Sequence, residues 1–315
     1  MDSSANFFPR FWQYLKERFP LHSHGILIAA FSFSAIGYSR LSRDLMGFIS
    51  WDKFLVCIFN TITLFLLLRI FDEHKDAEDD AQFRQELPVP RGLIKLSELR
   101  NVGIAVFLLQ CIVTWFTFPA MLPLYLGVIA YLLLMGKEFF IKDWLKKHQF
   151  WYVTSHMLII PFVDIYASGY DWYLDGDPAP FSLIFFFGVS FMNGIVLEVG
   201  RKIRAPHDEK EGVQTYSAML GLRSSIFLWI VVLVATLIFA MAAAYYAHFP
   251  TTVYWALSLY FVCKSWINSS RLFDSQSIIS AISLSSSHLL LDNSNGERSK
   301  TFGFLSFVIG VLYET

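Results

Sequence analysis

Nine apolar runs set what this chain is able to fold into. They fall at 24–39, 52–71, 101–118, 120–136, 151–168, 181–199, 224–247, 252–268 and 301–313. A helix needs about 20 apolar residues to cross a bilayer, and most of these runs approach that length. Pro119 and Pro250 mark tight breaks between neighbouring runs. Only 16% of the 315 residues are charged, against 55% hydrophobic, whereas a soluble domain carries roughly a quarter charged residues. The balance excludes a soluble globular enzyme and a disordered chain. A net charge of −1 gives no field for a nucleic acid. The expectation is an all-α polytopic membrane bundle, about nine transmembrane helices around a central cavity, forming a single domain over 1–315. The Ser-rich stretch 269–300 holds an apolar piece, 278–291, that reads as a re-entrant segment or a tenth span.

The N-terminal segment, 1–23, reads as an interfacial helix rather than a secretory signal. It mixes Arg10, Lys16 and Arg18 with Phe7, Phe8, Phe11, Trp12, Tyr14 and Phe19, a composition suited to lying on a bilayer. Cys57, Cys111 and Cys263 sit in separate apolar runs and read as buried small hydrophobes.

Charge placement tests the span count. With nine helices, every Lys and Arg except Arg40, Arg43 and Lys53 falls in the N-terminal segment or in the loops after helices two, four, six and eight. The opposite side keeps those three and the acidic loop Asp171, Asp175 and Asp177. The positive-inside tendency therefore places the N-terminus and the charged loops in the cytoplasm.

Two of those loops, 69–100 and 198–222, carry the chemistry. If the second helix persists past its apolar part, Asp72, Asp76 and Asp80 recur at intervals of four on one face, with Arg69 one turn below. Like charges so spaced repel, and the helix C-terminal dipole disfavours acids. A divalent cation relieves both, and Mg²⁺ binds readily between carboxylates and phosphate oxygens. Downstream, Pro88-Val-Pro90-Arg91-Gly92 fixes a turn that offers Arg91 to a phosphate. In the second loop, Asn193 and Glu198 lie near the end of an apolar span, where ionisable groups signal function. Arg201, Lys202, Arg204 and Asp208 follow. Acids that hold a metal, interleaved with cations that hold an anion, suit a diphosphate bridged by Mg²⁺. The Phe, Leu, Trp and Tyr of the spans suit an apolar remainder. An isoprenoid diphosphate meets both demands.

These residues resemble the UbiA superfamily of intramembrane prenyltransferases, over nearly the whole chain. That family has nine helices around a lipid-open cavity, with Asp-rich cytoplasmic loops after helices two and six. Asp72 and Asp76 match the last two acids of its Asn-Asp-x-x-Asp-x-x-x-Asp motif, and Pro88 to Gly92 resembles the turn that follows. Glu198, Asp208, Gly212 and Thr215 fit the second motif in order. Leu68 and Arg69 stand where the family carries Asn-Asp, and Arg201, Lys202 and Arg204 where it often carries acids. The departures resemble a divergent branch that includes UbiA-type terpene cyclases.

The resemblance implies an Mg²⁺-dependent enzyme that ionises an isoprenoid diphosphate, farnesyl or geranylgeranyl. Asp72 and Asp76, assisted by Asp80, would hold one Mg²⁺, and Glu198 with Asn193 or Asp208 another. Arg69, Arg91, Arg201, Lys202 and Arg204 would neutralise the leaving diphosphate. Aromatics such as Phe118, Tyr166 and Trp255 are candidates to shield the allylic cation. The altered first motif favours cyclisation to a terpene. The alternatives are transfer to an aromatic or other lipid acceptor and, from another class, a divalent-cation transporter. A transporter expects polar groups near the midplane and internal repeats, and the sequence shows neither. His156, in the fifth span, reads as a core histidine or as a proton acceptor. The bilayer and the substrate are the expected partners, with no nucleic acid and no obligatory protein partner.

Overall fold

A computed structural model describes residues 6–205, 207, 209, 215–259 and 261. Among them there is no strand. Seven helices are long and apolar enough to cross a membrane. The expected eighth span lies only partly within the described residues, of which 251–259 are helical. The ninth span and the segment 278–291 lie outside them. The chain divides into two compact units, one of residues 1–40 and 48–179, the other of 41–47 and 180–315.

In the first unit, α1 (Phe7–Arg18) has Lys16 and Arg18 in its last turn, where the helix dipole favours cations. It buries Tyr14 and Leu15 against Ile28, Leu66, Ile70, Ile94 and Leu99, and leaves Phe8 and Trp12 exposed. This is the two-sided helix expected of an interfacial segment. The spans α2 (Leu21–Ser42) and α3 (Trp51–Lys75) follow. Next come the short α4 (Ala77–Phe83), α5 (Leu96–Thr117) and α6 (Leu122–Gly136). Phe118 and Pro119 interrupt the chain between α5 and α6, as the missing proline N–H requires. After α7 (Lys142–Lys147), the fifth span is built from α8 (Gln149–Met157) and α9 (Ile159–Ser168). The break at Leu158 falls one turn ahead of Pro161, which cannot donate back to the preceding turn.

Most of each spanning surface faces outward. α5 exposes Ile104, Leu108, Ile112, Trp115 and Phe116, a stripe that water would not tolerate and lipid does. Polar residues inside the unit bond to one another. The Asn60 amide nitrogen donates to Thr114 Oγ1 (3.1 Å), Tyr166 OH (2.7 Å) and Tyr170 OH (3.3 Å). Gln110 ties to the Asn60 carbonyl (2.9 Å) and accepts from Tyr125 OH (2.9 Å). At one end of the helices Arg40 pairs with the buried Asp171 (2.9 Å) and Lys53 with Asp175 (3.1 Å). Charge sorting grouped these residues on one side, and the pairs hold them at one end.

The second unit is organised by α10 (Leu183–Arg201), α11 (Tyr216–Leu220) and α12 (Leu222–Tyr246). Small residues let α10 and α12 approach. A Cβ built on Gly188 would lie 2.4 Å from Phe239 Cδ1, and one on Gly200 3.1 Å from Trp229 Nε1. That indole N–H donates to the Val196 carbonyl (3.2 Å). Gly221, with φ +80°, makes the left-handed turn between α11 and α12.

Candidate active site

The first acidic cluster sits where α3 outruns its apolar part. The helix persists to Lys75, and Asp76 then caps α3 and starts α4. His74 and Lys75 occupy the last turn of α3, and Glu78, Asp79 and Asp80 the first turn of α4. The restart thus moves part of the acidic run from a helix C-terminus, which disfavours acids, to an N-terminus, which favours them. Backbone bonds still link Asp76 N to Asp72 O (2.9 Å) and Asp80 N to Asp76 O (2.8 Å), so the interval of four is kept.

The three aspartates differ in surroundings. The Asp72 and Asp76 side chains are 37% and 41% exposed, while that of Asp80 is 5% exposed and pairs with Arg84 (3.3 Å). Burial pushes the Asp80 carboxyl above its ordinary value, Arg84 pulling the other way. Lys75 fills the space that the sequence assigns to a metal. Its Nζ lies 4.0 Å from Asp72 Oδ1 and 3.8 Å from Asp76 Oδ1. Among the described residues no three His, Cys, Asp or Glu side chains converge on one point. The expected trio of Asp72, Asp76 and Asp80 is therefore not assembled around a common centre. The Asp72–Asp76 pair does accommodate a positive charge, and hard oxygen donors with open positions fit Mg²⁺.

Glu73, between these aspartates in sequence, is the residue that reasoning from the motif missed. It is 1% exposed, and its Oε1 accepts from Arg18 Nε (2.7 Å), Arg69 Nε (3.2 Å) and Arg69 Nη2 (3.1 Å). Arg69 is thus committed to a carboxylate. The four-residue spacing of Arg69 and Glu73 was a legible signal; the contribution of Arg18 was not. The 88–92 turn forms as expected, with Gly92 at φ +80° and Leu93 N bonded to Pro88 O (2.9 Å). Arg91 leaves it toward α1, donating to Glu17 Oε1 (2.6 Å) and to the Glu86 carbonyl (3.0 Å). That hydrogen bond holds the Glu17 carboxyl below its ordinary value. Arg10 adds a two-pronged pair to Glu98, at 2.6 and 3.0 Å. Together, Arg10, Glu17 and Arg18 fasten α1 to α5, to the 88–92 turn and to the end of α3.

Beside Lys75 stands a row of groups from other elements. Lys75 Nζ donates to Tyr152 OH (2.9 Å). The Tyr152 ring stacks on His156, with centroids 4.1 Å apart. His156 Nε2 faces Glu138 Oε2 at 3.4 Å, both side chains buried. Burial raises the Glu138 carboxyl, but His156, Lys75 and Lys142 together outweigh it and hold it below the ordinary value.

The second cluster belongs to the other unit and is described by itself. Asn193 and Glu198 are buried on α10, as their place near the end of an apolar span suggests. Glu198 pairs with both Arg201 and Lys202, the latter at 2.7 Å. The Arg201 side chain is 70% exposed, so most of it is open to an anion. Arg204 N–H donates to Ser217 Oγ (2.9 Å). Glu209 accepts from Thr215 Oγ1 and Ser217 Oγ (2.8 and 2.6 Å), which lowers its carboxyl. Asp208 and Gly212 lie outside the described residues.

A profile described as the UbiA prenyltransferase family matches residues 44–285. No curated protein matches the chain. Among solved structures, one titled for the biosynthesis of digeranylgeranylglyceryl phosphate synthase in membranes superposes with a TM-score of 0.57, at 16% identity over 97% of each chain. The apo structure of a UbiA homolog from Aeropyrum pernix K1 gives 0.60, at 11% identity over 91% of this chain and 96% of that one. At these identities the likeness is one of fold.

Proposed function

The chain belongs to the UbiA prenyltransferase family, and from that premise we propose that it ionises an isoprenoid diphosphate within the membrane, with Mg²⁺ held by Asp72 and Asp76. It is a multi-pass integral membrane protein, and the family acts on isoprenyl diphosphates. The observation that carries the reading is the pair of partly exposed carboxylates, Asp72 and Asp76, arranged about a positive charge. When bound, Mg²⁺ supplies Lewis acidity toward the leaving diphosphate.

The chain's own groups do the rest in this reading. Asp72 and Asp76 would hold the metal, with Asp80 a reserve oxygen donor. Arg201, Lys202 and Arg204 neutralise the departing charge, and Glu198 aligns the first two. Asn193 and Asp208 are further oxygen donors for a second metal. Arg69 and Arg91, engaged by Glu73 and Glu17, hold the acidic segment in shape and reach a diphosphate only by exchanging partners. The Phe, Leu, Trp and Tyr side chains of the spans would exclude water from the allylic cation. The N-terminus and both charged loops face the cytoplasm.

The cation then meets one of two fates. Cyclisation by its own double bonds is the reading we favour, because Leu68 and Arg69, the latter fixed on Glu73, stand where the family motif has a metal-binding Asn and an acid. Transfer to an aromatic or other lipid acceptor is the second reading, and family membership supports it. Purified protein with Mg²⁺ and farnesyl or geranylgeranyl diphosphate separates them. A cyclic hydrocarbon formed without acceptor supports cyclisation; product formed only after a phenol or quinone precursor is added supports transfer. Failure to release diphosphate under either condition overturns the function.

A further inference from the structure

Four residues from three separated stretches line up behind the Asp72–Asp76 pair. Lys75 ends α3, Tyr152 and His156 lie one turn apart on α8, and Glu138 follows α6. The local backbone is bent to bring Glu138 there. Glu138, Phe139 and Phe140 take φ of +50°, +52° and +60° in succession. Non-glycine residues avoid this left-handed region, and such strain persists only where surrounding contacts over-determine it. The contacts are present: Phe139 packs edge-on against both His156 and Tyr131, and Glu138 Oε2 meets His156 Nε2.

The imidazole has little freedom. Its Nδ1 lies 2.8 Å from the Tyr152 carbonyl, an acceptor only, so Nδ1 carries hydrogen. In a neutral ring Nε2 would then be bare and would face a carboxylate. Nε2 and the Glu138 carboxyl face each other at 3.4 Å, both side chains buried. This buried pair holds the His156 ring flat against Tyr152, and Tyr152 OH holds the Lys75 ammonium between the two aspartates.

We propose that Lys75 is a built-in counter-cation of the acidic pair, exchanged for the metal and then contacting the diphosphate, and that Glu138, His156 and Tyr152 are positioning residues for it. The proposal rests on the diphosphate reading above. Without substrate, the ammonium neutralises two carboxylates that would otherwise repel. A divalent metal competes with it directly, and the displaced ammonium, still tethered by Tyr152, is left beside the metal's phosphate ligands. The arrangement makes metal binding weak alone and stronger with diphosphate, because only then do both cations have partners.

Thermal stabilisation of the purified full chain by Mg²⁺ alone, and by Mg²⁺ with inorganic pyrophosphate, tests this without requiring turnover. Lys75→Met is expected to lower the midpoint Mg²⁺ concentration about fivefold, by removing one competing ion-pair partner. It is expected to weaken pyrophosphate about tenfold, by removing one charge-assisted contact. Lys75→Arg should restore the wild-type pattern. Tyr152→Phe, which deletes a single oxygen, should shift both midpoints in the same directions, and it serves as the test if Lys75→Met does not fold. Unchanged midpoints in a folded variant, with wild type responding to both ligands, overturn the role of Lys75 and leave the diphosphate reading standing. A wild-type protein stabilised by neither ligand overturns both.

Discussion

Arg18 reaches across 55 residues of chain to bond Glu73 at 2.7 Å, and through that bond the N-terminal helix α1 grips the end of α3. Arg69 donates to the same oxygen, so one buried carboxylate holds two guanidiniums.

Removing one partner from this triad should cost stability without unfolding the bundle. Arg18→Ala leaves Glu73 with Arg69 alone, and the expected loss is about 1–3 kcal/mol. Glu73→Ala leaves two cations facing each other and should cost about 3–5 kcal/mol. Denaturant or thermal unfolding in detergent measures both, and equal small losses would contradict the ranking.

Two carboxyls outside the spans shift in opposite directions, so their amides should act oppositely. Asp80 is raised from 3.8 by burial. The folded state therefore holds its proton more tightly than the unfolded chain, and the stability it lends is present below that value and lost as pH rises. Asp80→Asn should leave stability at neutral pH equal or higher. Glu138 is lowered from 4.5, with His156, Lys75 and Lys142 together overcoming burial. Its contribution is present above the unfolded value and lost as pH falls through the folded one. Glu138→Gln should lower stability at neutral pH and converge with wild type in acid. Thermal scans from acid to neutral pH read the sign of each.

The contact between α10 and α12 depends on a missing side chain. A methyl on Gly188 would collide with the Phe239 ring at 2.4 Å. Gly188→Ala should destabilise by about 1–3 kcal/mol, and Gly188→Ala with Phe239→Leu should recover part of the loss. A Gly188→Ala melting curve that superimposes on wild type would mean that the contact tolerates more volume than its geometry allows.

What the sequence made legible follows from local physics. Apolar runs located the seven described spans to within a few residues, because a bilayer sets a minimum apolar length for each of them. They stopped short at the end of α3, predicted to finish at 71 and found to continue to Lys75, since hydropathy ends where the helix still has backbone partners. The turn at 88–92 was legible from Pro and Gly. The direction of Arg91 was not, because its partner, Glu17, lies 74 residues away. Glu138 was equally hidden: no local pattern predicts three successive left-handed residues, and the pairing with His156 is tertiary. Motif spacing singled out Asp72 and Asp76 and correctly set Asp80 on the same four-residue rhythm. Spacing alone did not show that Asp80 would be buried beside Arg84.

The most direct measurement is Mg²⁺-dependent release of diphosphate from an isoprenoid diphosphate by wild type, Asp72→Ala and Glu198→Ala. Loss of a carboxylate that holds the metal or the cations facing the leaving group predicts a fall of about 100-fold or more in each variant, with folding verified by the unfolding curves above. Wild-type turnover in both variants would contradict the assignment of the reaction to these two clusters.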